Sequence, residues 1–351
     1  METPEVRPPK SRRRRLIGVA FGVAVIAGTF AFVLPRIADY GDVWDVVSEL
    51  SWPQIGALAL ATALNLVTYA PPWMVAVPGL GFGRAFMMTQ AVSASTYVAP
   101  GGPAVGVALA VAILRSWAFP SALVAVAVAL ITLWNQFVLL AFPALGLALV
   151  TLQKETSRLL QTVAVIGLSL LVVGASAFAG ALWSPRLARF VGDHAARLAN
   201  WGLRLVRRGP VAWAGDSFVR FRAGAVTLLR RRWHLLTLAT LAGHLTVFVL
   251  FLVCLRVLDV SQVEISASEA FAAWSLVRLL GSLPITPGGI GVVEVGLTTA
   301  LVGFGGSDAE VVAAVLVYRF LTLVPTLLLG LVAGATWRRF GRARRPSPRT
   351  E

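Results

Sequence analysis

The sequence predicts an all-α protein that crosses a membrane several times, and three observations support this prediction. Of the 351 residues, 57% are hydrophobic and only 13% are charged, and the mean hydropathy is +0.79. Soluble proteins carry about 25% charged residues, so this composition excludes an ordinary soluble fold and a disordered chain. Long apolar stretches recur, and two of them are interrupted by proline and glycine. We therefore predict about six full transmembrane helices and two opposed re-entrant helical hairpins in an inverted repeat.

Six stretches are long and apolar enough to span the hydrocarbon core, which requires about 20 residues in a helix. They are residues 16–34, 53–77, 121–150, 159–183, 235–258 and 311–337. The first follows four consecutive arginines and therefore resembles a signal peptide. Its apolar run is longer than the roughly 7–15 residues of a signal peptide, so we expect an uncleaved first helix.

Two further apolar stretches, 85–117 and 270–304, have arms that are too short to span. Each arm has about 15 residues, which gives about 22 Å of helix against a hydrocarbon core of about 30 Å. Proline and glycine end the helices at the breaks. Interrupted backbone is tolerated at membrane depth only where protein buries it or water lines it. We predict re-entrant hairpins, and the alternative is two pairs of short, tilted spanning helices. The predicted tips contain Pro100, Gly101, Gly102, Pro284, Pro287, Gly288 and Gly289.

Positive charge predicts the orientation of the helices. If the amino terminus is cytoplasmic, most of the 31 basic residues fall in cytoplasmic segments, and the outer loops are mainly acidic. This asymmetry follows the positive-inside rule and predicts a multi-pass protein of a bacterial inner membrane with both termini in the cytoplasm. The formal net charge of +15 is then explained without nucleic acid as a partner.

The chain divides near residue 155 into two halves of the same plan, each with two spans, a hairpin and a further span. Residues 16–155 form the first predicted repeat. Residues 156–337 form the second, which includes a basic cytoplasmic loop at 184–233. Basic tails at 1–15 and 338–351 flank the repeats. Interrupted segments at corresponding positions of inverted halves are typical of a transporter site near the membrane midplane.

No nucleophile–base set, phosphate-binding loop or metal-ligand spacing is present, so we predict no enzyme activity, cofactor or metal. Polar residues within the spans leave two interpretations open. His244 either relays protons or bonds to a neighbouring helix. Asn65, Asn135 and Gln136 either join helices or line a polar path.

Charged residues within the spans are more informative. Charges at this depth are costly and usually face a cavity or one another. We expect Glu294 to pair with Arg319 or Arg278, which leaves the other arginine to bind a lipid phosphate in a bidentate manner. The alternative is a purely structural ion pair.

The segment from Arg278 to Glu294 reads R-L-L-G-S-L-P-I-T-P-G-G-I-G-V-V-E, and Tyr318-Arg319 follows about 24 residues later. Both resemble the signature of the lysylphosphatidylglycerol synthetase-like transmembrane family. This family comprises the membrane-embedded flippase region of the aminoacyl-phosphatidylglycerol synthetases and its stand-alone relatives. In the first half, the resemblance is incomplete. The family shows Gly-Glu and an arginine after a Pro-Gly turn, whereas here the acidic residue is missing and the nearest arginine is Arg115.

The resemblance implies translocation of a lipid or lipid-linked headgroup, with membrane lipids, anionic ones in particular, as partners. It does not imply aminoacyl transfer, because the longest predicted soluble stretch is about 50 residues and is too short for the domain that this reaction needs. Two alternatives remain: an accessory protein for a lipid-modifying enzyme such as a glycosyltransferase, and a secondary transporter of small anions. The candidate substrate-path residues are Arg278, Glu294, Tyr318, Arg319 and Arg115.

The predicted orientation can be tested with single cysteines after Cys254 is replaced. We expect Ser157→Cys and Ser261→Cys to react with a membrane-impermeant maleimide in intact cells. Ser217→Cys should react only after permeabilisation. Labelling of the Ser217→Cys variant in intact cells would overturn the orientation.

Overall fold

The computed structural model describes residues 48–99, 101–153, 158–184, 215–283 and 286–341, with single residues at 186, 190 and 197. In this part of the chain the secondary structure is helical, which confirms the predicted all-α class. The helices, in chain order, are α1 Trp52–Thr68, α2 Pro71–Ala76, α3 Phe82–Val98, α4 Gly102–Ser116, α5 Ser121–Gln153, α6 Arg158–Trp183, α7 Gly215–Val257, α8 Ala267–Gly281, a 3-10 helix Pro287–Gly289, α9 Val292–Gly303 and α10 Asp308–Gly341.

Four helical segments among the described residues are long and apolar enough to cross a membrane. They are Trp52–Ala76, Ser121–Gln153, Phe221–Val257 and Ala309–Trp337. They match the predicted spans 53–77, 121–150, 235–258 and 311–337. The predicted span 159–183 coincides with α6, whose apolar section is Val165–Gly180. The predicted span 16–34 lies outside the described residues.

Helix α7 differs most from the prediction, because it begins at Gly215 and has 43 residues. Residues 215–233, which were predicted as the last part of the basic loop 184–233, are therefore helical. The arginines of this segment suggested a loop, but Ala225, Leu229 and Leu236 follow one helical face and are buried in an apolar cluster. The rest of the predicted loop lies outside the described residues, apart from residues 184, 186, 190 and 197. Helix α10 likewise extends to Gly341, into the predicted tail 338–351.

The long helices α5 and α7 run in the same direction. Near their beginnings Gly224 faces Val126, and further along both helices His244 bonds to Asn135. Helix α1 runs against α7, because Gln54 bonds to the carbonyl of Val257 whereas Thr68 bonds to Thr246. We call the end of the bundle where α5 begins the first end, and the opposite end, where α5 and α7 stop, the second end.

Helices α3 and α4 form a hairpin that begins and ends at the first end. The two arms are antiparallel, since Gly106 on α4 lies against Val92 and Thr96 on α3. After α4, the Trp117 indole donates to the carbonyl of Trp337 near the end of α10.

Helices α8 and α9 form the second hairpin, which begins and ends at the second end. Gly296 on α9 lies against Val277 on α8, so these arms are also antiparallel. Ser268 at the start of α8 bonds to Gln153, the last residue of α5. Beyond α9, Gly306 lies against Ile265, the residue that precedes the cap of α8. The two hairpins therefore enter the bundle from opposite ends.

The tips of the two hairpins meet in the middle of the bundle. A Cβ at Gly288 would lie 3.3 Å from Cδ1 of Tyr97. Gly101 and Gly288 hold corresponding places in the two Pro-Gly-Gly sequences and have φ values of 67° and 64°. This left-handed conformation favours glycine, which explains the residue type at both turns. Of the predicted tip residues, Pro100 and Pro284 lie outside the described residues, and Pro287 begins the 3-10 helix.

The first arm of each hairpin packs against a long helix of the opposite half of the sequence. Gly330 on α10 lies against the Gln90 carbonyl and Ala94 of α3. Gly146 on α5 lies equally close to the backbone of Ala272 on α8. Glycine permits this approach at both places, so each hairpin is anchored by the other half of the chain.

Two glycines of α10 provide a matched test of this packing. A Cβ at Gly330 would overlap Ala94 and lie 2.8 Å from the Gln90 carbonyl oxygen, whereas a Cβ at Gly334 would meet no atom within 4 Å. We expect Gly330→Ala to destabilise the protein by about 1–3 kcal/mol through overpacking. Gly334→Ala should leave the thermal unfolding temperature in detergent unchanged or slightly higher. Equal unfolding temperatures for the two variants would contradict the close contact.

Candidate functional site

A polar cavity of about 690 Å³ lies beside the meeting point of the two hairpin tips. Helices α1, α3, α5, α7, α8 and α10 contribute to its wall. Three of the four tyrosines of the chain line it, together with one histidine and two arginines. These residues are Tyr69, Tyr97, Tyr318, His244, Arg278 and Arg319. Gly101, Gly102, Gly288 and Gly289 of the tips complete this part of the wall.

Glu294 forms a buried ion pair with Arg319. The Nε of Arg319 donates to Oε1 of Glu294 at 2.5 Å, and the two residues are only 9% and 6% exposed. The Gly291 N–H donates to Oε2, so both carboxylate oxygens are engaged at the positive end of the α9 dipole. Arg319 also donates to the carbonyl of Gly288, which fastens the second tip to α10.

Arg278, near the end of α8, is the arginine that Glu294 does not bind. Its Nη2 donates to the Tyr69 hydroxyl at 2.8 Å and to Nδ1 of His244 at 3.3 Å. The guanidinium also lies over the Trp274 ring, 5.3 Å from the centroid. Within the described part of the chain, no carboxylate pairs with Arg278. Neutral groups therefore hold this guanidinium in place and leave its charge uncompensated.

His244 connects Arg278 to α5 through a chain of hydrogen bonds. The Asn135 amide nitrogen donates to the carbonyl of Ile131, which leaves Oδ1 to accept from Nε2 of His244 at 2.8 Å. Because a guanidinium can only donate, Nδ1 of His244 is the acceptor facing Arg278. The imidazole is thus neutral with its proton on Nε2. The structure favours the interpretation of His244 and Asn135 as contacts between helices, and it places Asn65 and Gln136 in the cavity wall.

Aromatic residues form a further part of the cavity wall, next to the two arginines. Trp274 donates through Nε1 to the Tyr318 hydroxyl at 3.1 Å, and both side chains are buried. Tyr97 reaches the cavity from α3. Tyr69 and Tyr97 were not among the predicted site residues. The available signal was that tyrosine is rare in this sequence and that three of the four lie in apolar segments.

Arg115 is not brought to the cavity. It lies in the last turn of α4, toward the first end of the bundle, where its side chain is exposed and donates to the Ser121 hydroxyl. The other predicted charged residues do converge: Arg278 and Arg319 line the cavity, and Glu294 lies behind Arg319. The expected pairing of Glu294 is therefore with Arg319.

The charged groups give the cavity the character of an anion site. Among the described residues that line it there is no aspartate or glutamate, whereas two guanidinium groups are present. One of these is neutralised by Glu294, which leaves one positive charge. No group of three or more His, Cys, Asp or Glu side chains among the described residues could hold a metal ion. The arrangement can bind one anionic group by paired, charge-assisted hydrogen bonds.

The fold and this central cavity define a multi-pass α-helical membrane protein whose polar site lies between two opposed hairpins. A family model described as the lysylphosphatidylglycerol synthase TM region matches residues 19–330, and the chain belongs to this family. The resemblance seen in the sequence is thereby confirmed. Comparison with curated proteins finds no significant match.

The ion pair can be tested through stability alone. Replacing only one partner leaves a buried charge unpaired, so Glu294→Gln should destabilise the protein by about 3–5 kcal/mol. The double variant Glu294→Gln with Arg319→Gln should be more stable than Glu294→Gln, because neither charge remains. Thermal unfolding in detergent measures both effects. Additive losses in the double variant would show that the two side chains do not interact.

Proposed function

We propose that this protein moves the headgroup of an anionic lipid between the leaflets of a bacterial inner membrane, with both termini in the cytoplasm. The observation that carries the proposal is Arg278, a guanidinium without a carboxylate partner in the described residues, held at the wall of a central polar cavity. A charge at this depth is costly unless it has a function or a partner. A lipid phosphate supplies the missing negative charge.

The hairpins support transport because of where they begin and end. Each returns to the end of the bundle that it entered, and each first arm packs on the opposite half. We take these features to indicate re-entrant hairpins and an inverted repeat, the arrangement in which transporters place a substrate site near the midplane. The broken backbone of each tip then lines the cavity, which is where such backbone is tolerated.

The surface of α5 supports a lipid over a small soluble anion. Thr132 and Gln136 line the cavity and are also exposed. Leu140, Leu145 and Leu149 of the same helix are exposed and apolar. Polar cavity wall and apolar outer surface therefore adjoin along one helix. A lipid can place its headgroup in the cavity while its acyl chains stay on the apolar surface.

Reconstitution into liposomes tests this function directly. Lipids with fluorescent headgroups are placed in both leaflets, and a membrane-impermeant quencher reports how fast the inner ones become accessible. We expect the wild-type protein to accelerate this exchange. Arg278→Gln should slow it roughly tenfold or more, because the hydrogen bonds to a charged phosphate are lost.

Arg115→Gln is the matched control, since it removes an arginine that lies outside the cavity. We expect this variant to retain the wild-type rate. The same rate in Arg278→Gln and the wild type would remove Arg278 from the mechanism. If the wild-type protein fails to move any lipid, the translocation proposal is wrong.

A further inference from the structure

We infer that the protein holds an anionic phospholipid, as a bound ligand and not as a substrate, in a groove at the first end of the bundle. The groove lies between the first turns of α5, the first half of α7 and the segment that joins α2 to α3, and its volume is about 710 Å³. The phosphate binds to Arg231 and Arg232, and an acyl chain lies along the apolar floor. This inference does not rest on the proposed function, because it concerns a second site.

The groove is apolar over most of its length, and small residues create its space. Ala122 and Ala125 of α5 line it together with Ala223 and Gly224 of α7. Gly224 also lets the two helices approach here, since a Cβ at this position would lie 2.9 Å from Cγ2 of Val126. Larger apolar side chains that complete the lining are Leu123, Val126, Phe221 and Leu228. Because Ala125 and Ala223 are exposed, the groove opens to the outer surface of the helices, where acyl chains lie.

Two neighbouring arginines, Arg231 and Arg232, make one part of this groove strongly positive. Arg231 is exposed, and Arg232 donates one hydrogen bond, to the carbonyl of Val75 in the last turn of α2 at 3.3 Å. Among the described residues no carboxylate pairs with either arginine, and no aspartate or glutamate lines the groove. Both charges are therefore available to a phosphate, which guanidinium groups bind by charge-assisted hydrogen bonds.

The position of the groove favours a lipid as the source of this phosphate. Arginines of the described residues collect at the first end of the bundle, and they include Arg84, Arg115, Arg222, Arg230, Arg231 and Arg232. Basic residues gather in this way where a membrane protein meets anionic headgroups, and basic pockets between transmembrane helices bind such headgroups. A phospholipid carries a phosphate next to acyl chains, and the groove presents arginines next to an apolar floor. In the proposed orientation this lipid belongs to the cytoplasmic leaflet.

The groove is separate from the central cavity. No described residue lines both. On α5 the buried Leu130 lies in sequence between Val126 of the groove and Thr132 of the cavity, and on α7 the buried Leu236 holds the corresponding place. Leu130 and Leu236 belong to one apolar cluster, which divides the two sites. A lipid in the groove contacts α5, α7 and the segment before α3 together, so we expect it to stabilise their packing.

Native mass spectrometry of the detergent-purified full chain tests the role of the arginines. Dioleoyl-phosphatidylglycerol and dioleoyl-phosphatidylcholine are the probes, because they share acyl chains and differ in net charge. We expect the wild type to retain phosphatidylglycerol in preference. Arg231→Gln with Arg232→Gln should reduce this preference about tenfold or more, since the bonds to a charged group are lost. Arg230→Gln is the matched control and should keep the preference, because Arg230 is exposed on the same helix and does not line the groove.

The same measurement in an Arg278→Gln background separates the two sites. Changes at independent sites have additive effects, so the loss caused by Arg231→Gln with Arg232→Gln should be equal in both backgrounds. If that loss disappears when Arg278 is replaced, the retained lipid is bound in the central cavity and the inference is wrong. Unchanged preference in the variant that lacks both groove arginines overturns it as well. Because none of these measurements involves transport, a failure of translocation in liposomes contradicts the proposed function and leaves this site untouched.

Filling the groove tests the place of the acyl chain. Phosphatidylglycerol should raise the thermal unfolding temperature of the wild type, because a ligand that binds the folded state stabilises it. Ala125→Phe places a large side chain in the groove at an exposed position and should reduce this rise. Ala122→Phe is the second variant, and unfolding without added lipid shows that each variant is folded. An undiminished rise in folded variants of both kinds contradicts the inference.

A photoreactive benzophenone amino acid in place of Ala125 identifies the occupant of the groove in cells. The matched control carries the same group in place of Leu149, an exposed position near the other end of α5. Cross-links to phospholipid that are enriched in anionic species at position 125 relative to position 149 support the inference. Cross-links from position 125 to another segment of this chain, to a second copy or to a different protein overturn it, and so does equal lipid composition at the two positions.

Discussion

The rest of the structure depends on one constraint: the two hairpin tips, where the backbone leaves its helices, cover each other at the centre of the bundle. Peptide groups that leave a helix in an apolar environment must find partners within the protein, since hydrocarbon offers none. Here the second tip lies against Tyr97 of the first hairpin, and Arg319 donates to the carbonyl of Gly288. Glycine at Gly101 and Gly288 allows both chains to turn in the left-handed conformation. The cavity exists where these two turns leave space between them, so its position follows from the meeting of the tips.

The charges near the tips have separate tasks. Glu294 and Arg319 satisfy one another and the surrounding backbone, which makes them part of the frame. Arg278 is positioned by three neutral groups: Tyr69, which caps the end of α1, His244 of α7 and, through His244, Asn135 of α5. Neutral partners orient a guanidinium without cancelling its charge. The site can therefore be both rigid and positively charged, a combination that an ion pair at Arg278 would not allow.

The sequence was most informative where one physical property dominates. Length and hydropathy predicted the four long apolar segments, and the repeated Pro-Gly-Gly predicted that the helices end at the two tips. Residues 215–233 were assigned to a loop because their arginines outweighed the apolar face that buries Ala225 and Leu229. The choice of Arg319 over Arg278 as the partner of Glu294 depends on how α8, α9 and α10 pack, which hydropathy does not encode. Tyr69 and Tyr97 were missed because a single aromatic residue in an apolar helix forms no pattern.

The crossed packing of the hairpins has a consequence for folding. Helix α3 rests on α10, and α8 rests on α5, so neither half of the sequence contains the surface on which its own hairpin is seated. If the first half were synthesised alone, the surface of α3 around Ala94 would be exposed, because α10 belongs to the second half. In the second half alone, the surface of α8 around Ala272 would be exposed, because α5 belongs to the first half. In this respect the chain resembles a domain-swapped dimer whose two subunits are covalently joined. The first hairpin cannot reach its final packing until α10, the last described helix, has been inserted. The central cavity is therefore among the last features to form.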